Sequence, residues 1–212
     1  MWSTVLFDLD GTLTDSAPGI MNSITYALER YGIHEERGEL MKFIGPPLSE
    51  SLEEFYGFDP EKRTEAIAIF REYFNEKGWQ ENAPYPGIAE LLRELKAAGL
   101  CLRVATSKPE VQAVRILEHF GLAQYFDRIC GAPLGNEEGA KKSAVIRRAI
   151  SGAEGPVIMV GDRRHDVAGA SETGLPCIGV LYGYGDREEL EQAGAAFIAE
   201  DVEALKRLLL EA

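Results

Sequence analysis

The chain has 212 residues, 45% of them hydrophobic, which is enough for one large domain or two small ones around a proper core. Its net charge of −13 excludes a protein that grips a nucleic-acid backbone, because that needs a basic stripe and none occurs; any anionic ligand must find local positive charge instead. No apolar run is long enough to span a bilayer, and no basic segment precedes an apolar one near the start, so a cytoplasmic protein without membrane contact, a monomer or homodimer, is expected.

The first predicted element is a strand over about residues 3–8, where the apolar run Val5-Leu6-Phe7 ends in Asp8-Leu9-Asp10-Gly11-Thr12. Strand side chains alternate, so Asp8 and Asp10 point the same way unless the chain turns between them, and Gly11 supplies the freedom to turn directly afterwards. Two ionised carboxylates roughly 4 Å apart repel by about 4 kcal/mol at an effective dielectric near 20, so the pair needs a cation, a shared proton or separation. Asp-x-Asp-Gly is also ordinary turn chemistry, with a side chain capping the backbone that follows. A calcium loop of the EF-hand kind is excluded, because the sixth and twelfth positions from Asp8 are Leu13 and Gly19.

From 16 to 83 the periodicity is helical throughout. Ile20, Ile24, Ala27, Leu28 and Tyr31 form one stripe, Leu48, Leu52, Phe55 and Tyr56 a second, and Ile67, Phe70 and Phe74 a third. Asp59-Pro60 reads as an N-cap followed by proline at the first helical position. The segment is too long for a single crossover and is expected to be a small inserted helical bundle, left through Pro84-Tyr85-Pro86-Gly87.

Four further strands are expected at about 101–105, 128–130, 157–160 and 177–181, with amphipathic segments between them. The first of these ends in Thr106-Ser107-Lys108, where a hydroxyl is more often a cap than a phosphate ligand. Lys141-Lys142-Ser143 opens a helical pattern, and a lysine pair there is usually a solvated face. Val157 to Val160 runs into Gly161-Asp162-Arg163-Arg164-His165-Asp166, whose spacing of four is expected to place Asp162 and Asp166 on one side of an incipient helix. Capping and dipole neutralisation explain such acids equally well. Gly183-Tyr184-Gly185 lacks the third glycine of a dinucleotide fingerprint, Gly135 to Lys142 misses the phosphate-loop spacing, and His34, His119 and His165 form no zinc pattern. Cys101, Cys130 and Cys177 lie in apolar runs without ligand spacing and read as free thiols of a reducing compartment.

Short continuous apolar runs alternating with helical periodicity define an α/β chain: a doubly wound, Rossmann-like parallel sheet core over 1–15 and 84–212, with a small inserted all-helical domain over 16–83. Such sheets bind ligands at the carboxyl ends of their strands, where Asp8, Thr106 and Asp162 are expected.

Asp8-x-Asp10-x-Thr12, then Thr106 after a strand, then Lys142, then Gly161-Asp162-x-x-x-Asp166 resemble, in that order and over essentially the whole chain, the four motifs of the haloacid dehalogenase superfamily. The resemblance implies a Mg²⁺-dependent hydrolase of a small-molecule phosphate ester working through an aspartyl phosphate. It makes Asp8 the nucleophile, and Asp10 the acid that protonates the leaving oxygen and then the base that deprotonates water. Asp8, the Asp10 carbonyl and Asp162 are the implied Mg²⁺ ligands, with Asp166 a direct or water-mediated partner. Thr106, Ser107, Gly11 and Lys142 are implied phosphate contacts, and residues 16–83 a mobile cap that excludes water and touches substrate. Lys108, Lys141 and Lys142 compete for the family's lysine, and Lys142 is preferred because it stands three residues before Val145-Ile146, the family's usual offset.

Lys42-Phe43-Ile44-Gly45-Pro46-Pro47-Leu48-Ser49 looks like the cap loop of the phosphoglycolate phosphatase branch and offers Lys42 or Ser49 to substrate, so a phosphoglycolate phosphatase-like hydrolase is the first expectation and a 5′-nucleotidase or pyrophosphatase of the same branch the alternative. A β-phosphoglucomutase-like mutase fits less well, since Pro46, Pro47 and Leu48 stand where its cap arginine belongs and Gly161-Asp162 replaces its Glu-Asp. A receiver-type phosphorylation switch fits least, being shorter and without an inserted helical domain.

Overall fold

The computed structural model describes residues 1–211, with Glu137 described by its backbone alone. Two compact units emerge, one made of Met1–Thr14 and Pro84–Ala212, the other of Asp15–Ala83.

In the first unit six strands form one sheet: β1 (Thr4–Phe7), β2 (Cys101–Pro109), β3 (Arg128–Ala132), β4 (Val157–Gly161), β5 (Cys177–Val180) and β6 (Phe197–Ala199), in the order β3-β2-β1-β4-β5-β6. Every pairing is parallel. Parallel strands covered on both faces need apolar residues at consecutive positions, and β1 and β5 are accordingly buried along their whole length. On one face Leu6, Ala105, Met159 and Cys177 pack with Val145, Ile146 and Ala149 of helix Lys142–Ala149, with Val167 and Ala170 of helix Arg164–Ser171, and with Leu190 of helix Arg187–Gln192. Val5 and Phe7 alternate to the opposite face. Helix Ile88–Ala97 buries Ile88, Leu91, Leu92 and Leu95, an i, i+3, i+4, i+7 stripe, and packs against helix Val202–Leu210. Each such leucine contributes about 1.5–3 kcal/mol of burial.

The strand order places the functional residues. The chain steps outward from β1 through β2 to β3 and then returns past β1 to β4, so β1 and β4 are neighbours at the point where the winding reverses, and a crevice opens at their carboxyl ends. Phe7 pairs with Val104 on one side and Val160 on the other. Asp8, Thr106 and Asp162 therefore lie at one end of the sheet's central strands, each within two residues of the same row.

Two features differ from the sequence expectation. β6 was not foreseen: three residues at the sheet edge, with Phe197 39% exposed, are too short to show a period. β2 runs on to Pro109, beyond the expected 105, because a register shift after Ala105 lets Pro109 pair with Ala132.

The second unit holds helices Ala17–Glu29, Leu48–Tyr56 and Pro60–Tyr73, a 3₁₀ segment Arg37–Phe43 and a π turn Phe74–Gly78. Ile20, Ile24, Ala27 and Leu28 are buried as their spacing requires. The Asp59 carboxylate accepts the Lys62 N–H at 2.9 Å with Pro60 following it, so this helix start is the cap that the sequence indicated. Of the third stripe Phe74 is buried, whereas Ile67 and Phe70 are half-buried. Aromatic contacts hold the middle of the unit, with Tyr31 edge-on to Phe58 at 5.1 Å and Phe43 stacked on Tyr56 at 5.9 Å. Cys101, Cys130 and Cys177 are free thiols, and among the described residues no helix is long and apolar enough to cross a membrane.

Candidate active site

Asp8 is the first residue past β1 and is 7% exposed. Lys142, at the start of its helix, reaches back so that its ammonium lies 2.8 Å from Asp8 Oδ1 and 2.7 Å from Asp166 Oδ1, and it donates to the Ala105 carbonyl at 3.1 Å. Asp8, Asp162 and Asp166 each bring one carboxylate oxygen within 4.8 Å of the others. Three buried carboxylates against one ammonium leave two negative charges in excess. Burial pushes the Asp8 carboxyl up from 3.8 to about 6, opposed by Lys142 and reinforced by Asp166. Asp162 is pushed well above the ordinary carboxylate range by burial, then by Asp166 and Asp8. Burial alone lowers the Lys142 pKa, but Asp166 and Asp8 outweigh it and hold the ammonium above its usual value. A hard divalent cation with a preference for oxygen ligands would cancel the two surplus charges, so the donor set of Asp8, Asp162 and Asp166 fits Mg²⁺.

The supports of this cluster are local. Thr12 Oγ1 donates to Asp162 Oδ1 at 3.2 Å and the Tyr184 N–H donates to Asp162 Oδ2 at 2.9 Å. The Arg163 N–H donates to Asp166 Oδ2 at 3.1 Å, so Asp166 caps the helix that it opens while its other oxygen faces Lys142. One expectation is corrected here. The helix begins at Arg164, so Asp162 precedes it and does not share a helix face with Asp166; the two acids converge because the chain turns after β4.

Asp10 is held by a residue that the sequence gave no reason to pair with it: Lys108 Nζ donates to both Asp10 oxygens, at 3.0 and 2.9 Å. Thr106 is buried, its Oγ1 accepting the Lys108 N–H at 3.2 Å, and Ser107 beside it is half-buried. Gly11 has φ +84°, and a methyl group there would overlap the Asp162 carboxylate, so both backbone and space require glycine. Lys141 points outward and pairs with exposed Glu138 at 2.7 Å. Lys42 belongs to the helical unit, where its ammonium lies 4.8 Å from the centre of the Phe55 ring, 5.4 Å from that of Tyr56 and 4.0 Å from Glu35. The structure thus gathers Asp8, Asp162, Asp166 and Lys142 into one cluster, sets Asp10 beside Lys108, and gives Lys42 aromatic neighbours of its own. Sequence reading missed Lys108 as the partner of Asp10, and it missed the Tyr184 amide, a backbone donor that no residue type announces.

A doubly wound sheet with a buried carboxylate gripped by an ammonium beside two further acids at its switch point has the groups that phosphoryl chemistry requires. Residues 5–180 match the model of the haloacid dehalogenase-like hydrolase family. The chain is 42% identical over 98% of its length, and 96% of the relative's, to a protein of Pseudomonas aeruginosa named 5′-nucleotidase. It is 39% identical over 97% of its length and 72% of the relative's to one of Mycobacterium tuberculosis named Tyrosine-protein kinase PtkA, and 28% identical over 95% and 93% to a phosphoglycolate phosphatase of Vibrio parahaemolyticus. A crystal structure described as a predicted phosphatase from Clostridium acetobutylicum is 49% identical, superposes with a TM-score of 0.96 and covers 100% of both chains. The chain belongs to the haloacid dehalogenase-like hydrolases, among the phosphatases of that family.

Proposed function

We propose that the protein hydrolyses a small phosphate monoester in the cytoplasm with Mg²⁺ held by Asp8, Asp162 and the Asp10 carbonyl, Asp166 lending charge directly or through water. The observation that carries the reading is the buried Asp8 carboxylate, gripped by Lys142 and standing within 4.8 Å of two further acids. When bound, the cation draws off the negative charge that would otherwise repel a phosphate from this acidic crevice. An Asp8 oxygen attacks phosphorus and becomes the aspartyl phosphate, while Asp10 gives its proton to the departing alcohol oxygen. Asp10 then takes a proton from the water that cleaves the acyl phosphate, restoring both carboxyl groups. Thr106, Ser107, the Gly11 amide and Lys142 steady the transferring phosphoryl oxygens, and the Lys142 ammonium offsets the charge that Asp8 and the phosphate bring together.

Among substrates, a nucleoside 5′-monophosphate ranks ahead of phosphoglycolate. The cap-loop likeness favours the phosphoglycolate branch as a whole, but the relative named 5′-nucleotidase is 42% identical against 28% for the phosphoglycolate phosphatase. A panel of phosphorylated metabolites containing both compounds decides it. Steady phosphate release with Mg²⁺, its loss on chelation, and labelled phosphate trapped on Asp8 in the wild type but not in Asp8→Asn are the expected results. Full turnover after thorough chelation, or label on any other residue, would refute the reading.

A further inference from the structure

Tyr182 to Gly185, just beyond β5, carries no step of the chemistry above, and its two glycines do not make a dinucleotide site. The segment nevertheless closes around Asp162. The Tyr184 N–H donates to Asp162 Oδ2 at 2.9 Å. The Tyr182 hydroxyl donates to the Thr12 carbonyl at 3.1 Å, and Thr12 Oγ1 in turn donates to Asp162 Oδ1 at 3.2 Å. Each carboxylate oxygen receives one donor and keeps lone-pair capacity for a cation. Both glycines are there because Asp162 takes the space: a methyl on Gly183 would overlap the Gly11 carbonyl and the Asp162 Cβ, and one on Gly185 would overlap the Asp162 carbonyl. Burial, then the charge of Asp162, keeps the Tyr182 hydroxyl protonated and so a donor.

We propose that Tyr182, Gly183, Tyr184 and Gly185 form a positioning loop that fixes the Asp162 carboxylate in the orientation a divalent cation needs. The inference rests on the metal reading above. Partners of this kind orient a ligand and commonly account for 10- to 100-fold in metal affinity. Here the orienting groups are a backbone amide and a hydroxyl two positions away.

The test titrates Mn²⁺ into chelator-treated full-length protein and reads free Mn²⁺ by electron paramagnetic resonance. Gly183→Ala is expected to weaken binding on the order of 10- to 100-fold. Tyr182→Phe is expected to weaken it about 3- to 10-fold, the scale of one lost hydrogen bond. The Mg²⁺ concentration for half-maximal turnover should rise in parallel. Gly38→Ala, at a glycine without positive φ and with nothing within 4 Å of the added methyl, serves as the control and should bind as wild type does. Wild-type affinity in folded Gly183→Ala and in Tyr182→Phe overturns the loop's role; if Gly183→Ala does not fold, Tyr182→Phe decides alone. A wild-type protein that binds no Mn²⁺ overturns the metal reading itself and this inference with it, a result distinct from intact binding in the variants.

Discussion

Lys108 grips Asp10 at both carboxylate oxygens, 3.0 and 2.9 Å from its ammonium, and the two side chains keep only 5% and 14% of their surface in water. A two-point contact fixes the orientation of a carboxyl group. Asp10 is the proposed proton donor to the leaving oxygen, so a misplaced Asp10 should matter most where the leaving group needs that proton. Lys108→Ala is expected to lower kcat/KM for phenyl phosphate on the order of 10²-fold, and that for 4-nitrophenyl phosphate, whose anion departs unaided, about 10-fold or less. Equal losses with both esters would show that Lys108 acts on the phosphoryl group instead.

In the metal-free protein Asp8 should make stability fall with rising pH. Its pKa stands at about 6 in the folded chain against 3.8 for a free carboxyl, chiefly through burial. The folded state therefore holds this proton more tightly than the unfolded chain does. The resulting stability is complete below about pH 4 and is lost as pH rises through about 6. The swing of about two units is worth roughly 3 kcal/mol. In chelator, Asp8→Asn should gain on the wild type across that window and then level off, as urea unfolding at four pH values would measure. Added Mg²⁺ should stabilise the wild type and leave Asp8→Asn almost unmoved. A constant gap between the two proteins from pH 4 to 7 would assign the repulsion to Asp162 instead.

The helical unit offers a simpler check. The Asp59 carboxylate satisfies the Lys62 N–H at the exposed start of helix Pro60–Tyr73. Asp59→Ala should cost about 1 kcal/mol. Thermal unfolding would show this as a lowered midpoint, and Asp59→Ser should restore most of it. No change would mean that the helix start is held by packing rather than by its cap.

What the sequence disclosed follows from which forces leave a mark on residue type. Buried parallel strands demand unbroken apolar runs, so Val5-Leu6-Phe7 and Val157 to Val160 were legible, and their common end row brought Asp8 and Asp162 together. β6 was not legible, because three residues at an edge have no period. The four-residue spacing of Asp162 and Asp166 suits a helix and a turn entering one, and the turn is what occurs. Lys108 and Asp10 lie 98 positions apart and meet through the pairing of β1 with β2, which no local pattern encodes. The Tyr184 amide is a donor that any residue except proline would supply.

The two lysines at the start of helix Lys142–Ala149 should behave as opposites. Lys141 precedes the helix as its N-cap, with ψ 138° outside the helical range, and Lys142 is the first helical residue, so the two side chains leave the chain in different directions. Lys142 is buried between Asp8 and Asp166, whereas Lys141 pairs with Glu138 at the surface. Lys142→Ala removes the ammonium that compensates two buried carboxylates, and breaking such a buried pair costs about 3–5 kcal/mol. It also removes a fixed charge from the place where negative charge gathers during phosphoryl transfer, and turnover is expected to fall on the order of 10²-fold or more. Mg²⁺ should recover part of the lost stability, because it answers the same excess charge, but not the lost turnover. Lys141→Ala gives up only an exposed ion pair, worth about 0–1 kcal/mol, and its turnover should stay near wild type. Turnover with Mg²⁺, together with unfolding midpoints measured with and without the cation, separates the two variants. The reverse ranking in folded proteins would move the phosphate contact from Lys142 to Lys141.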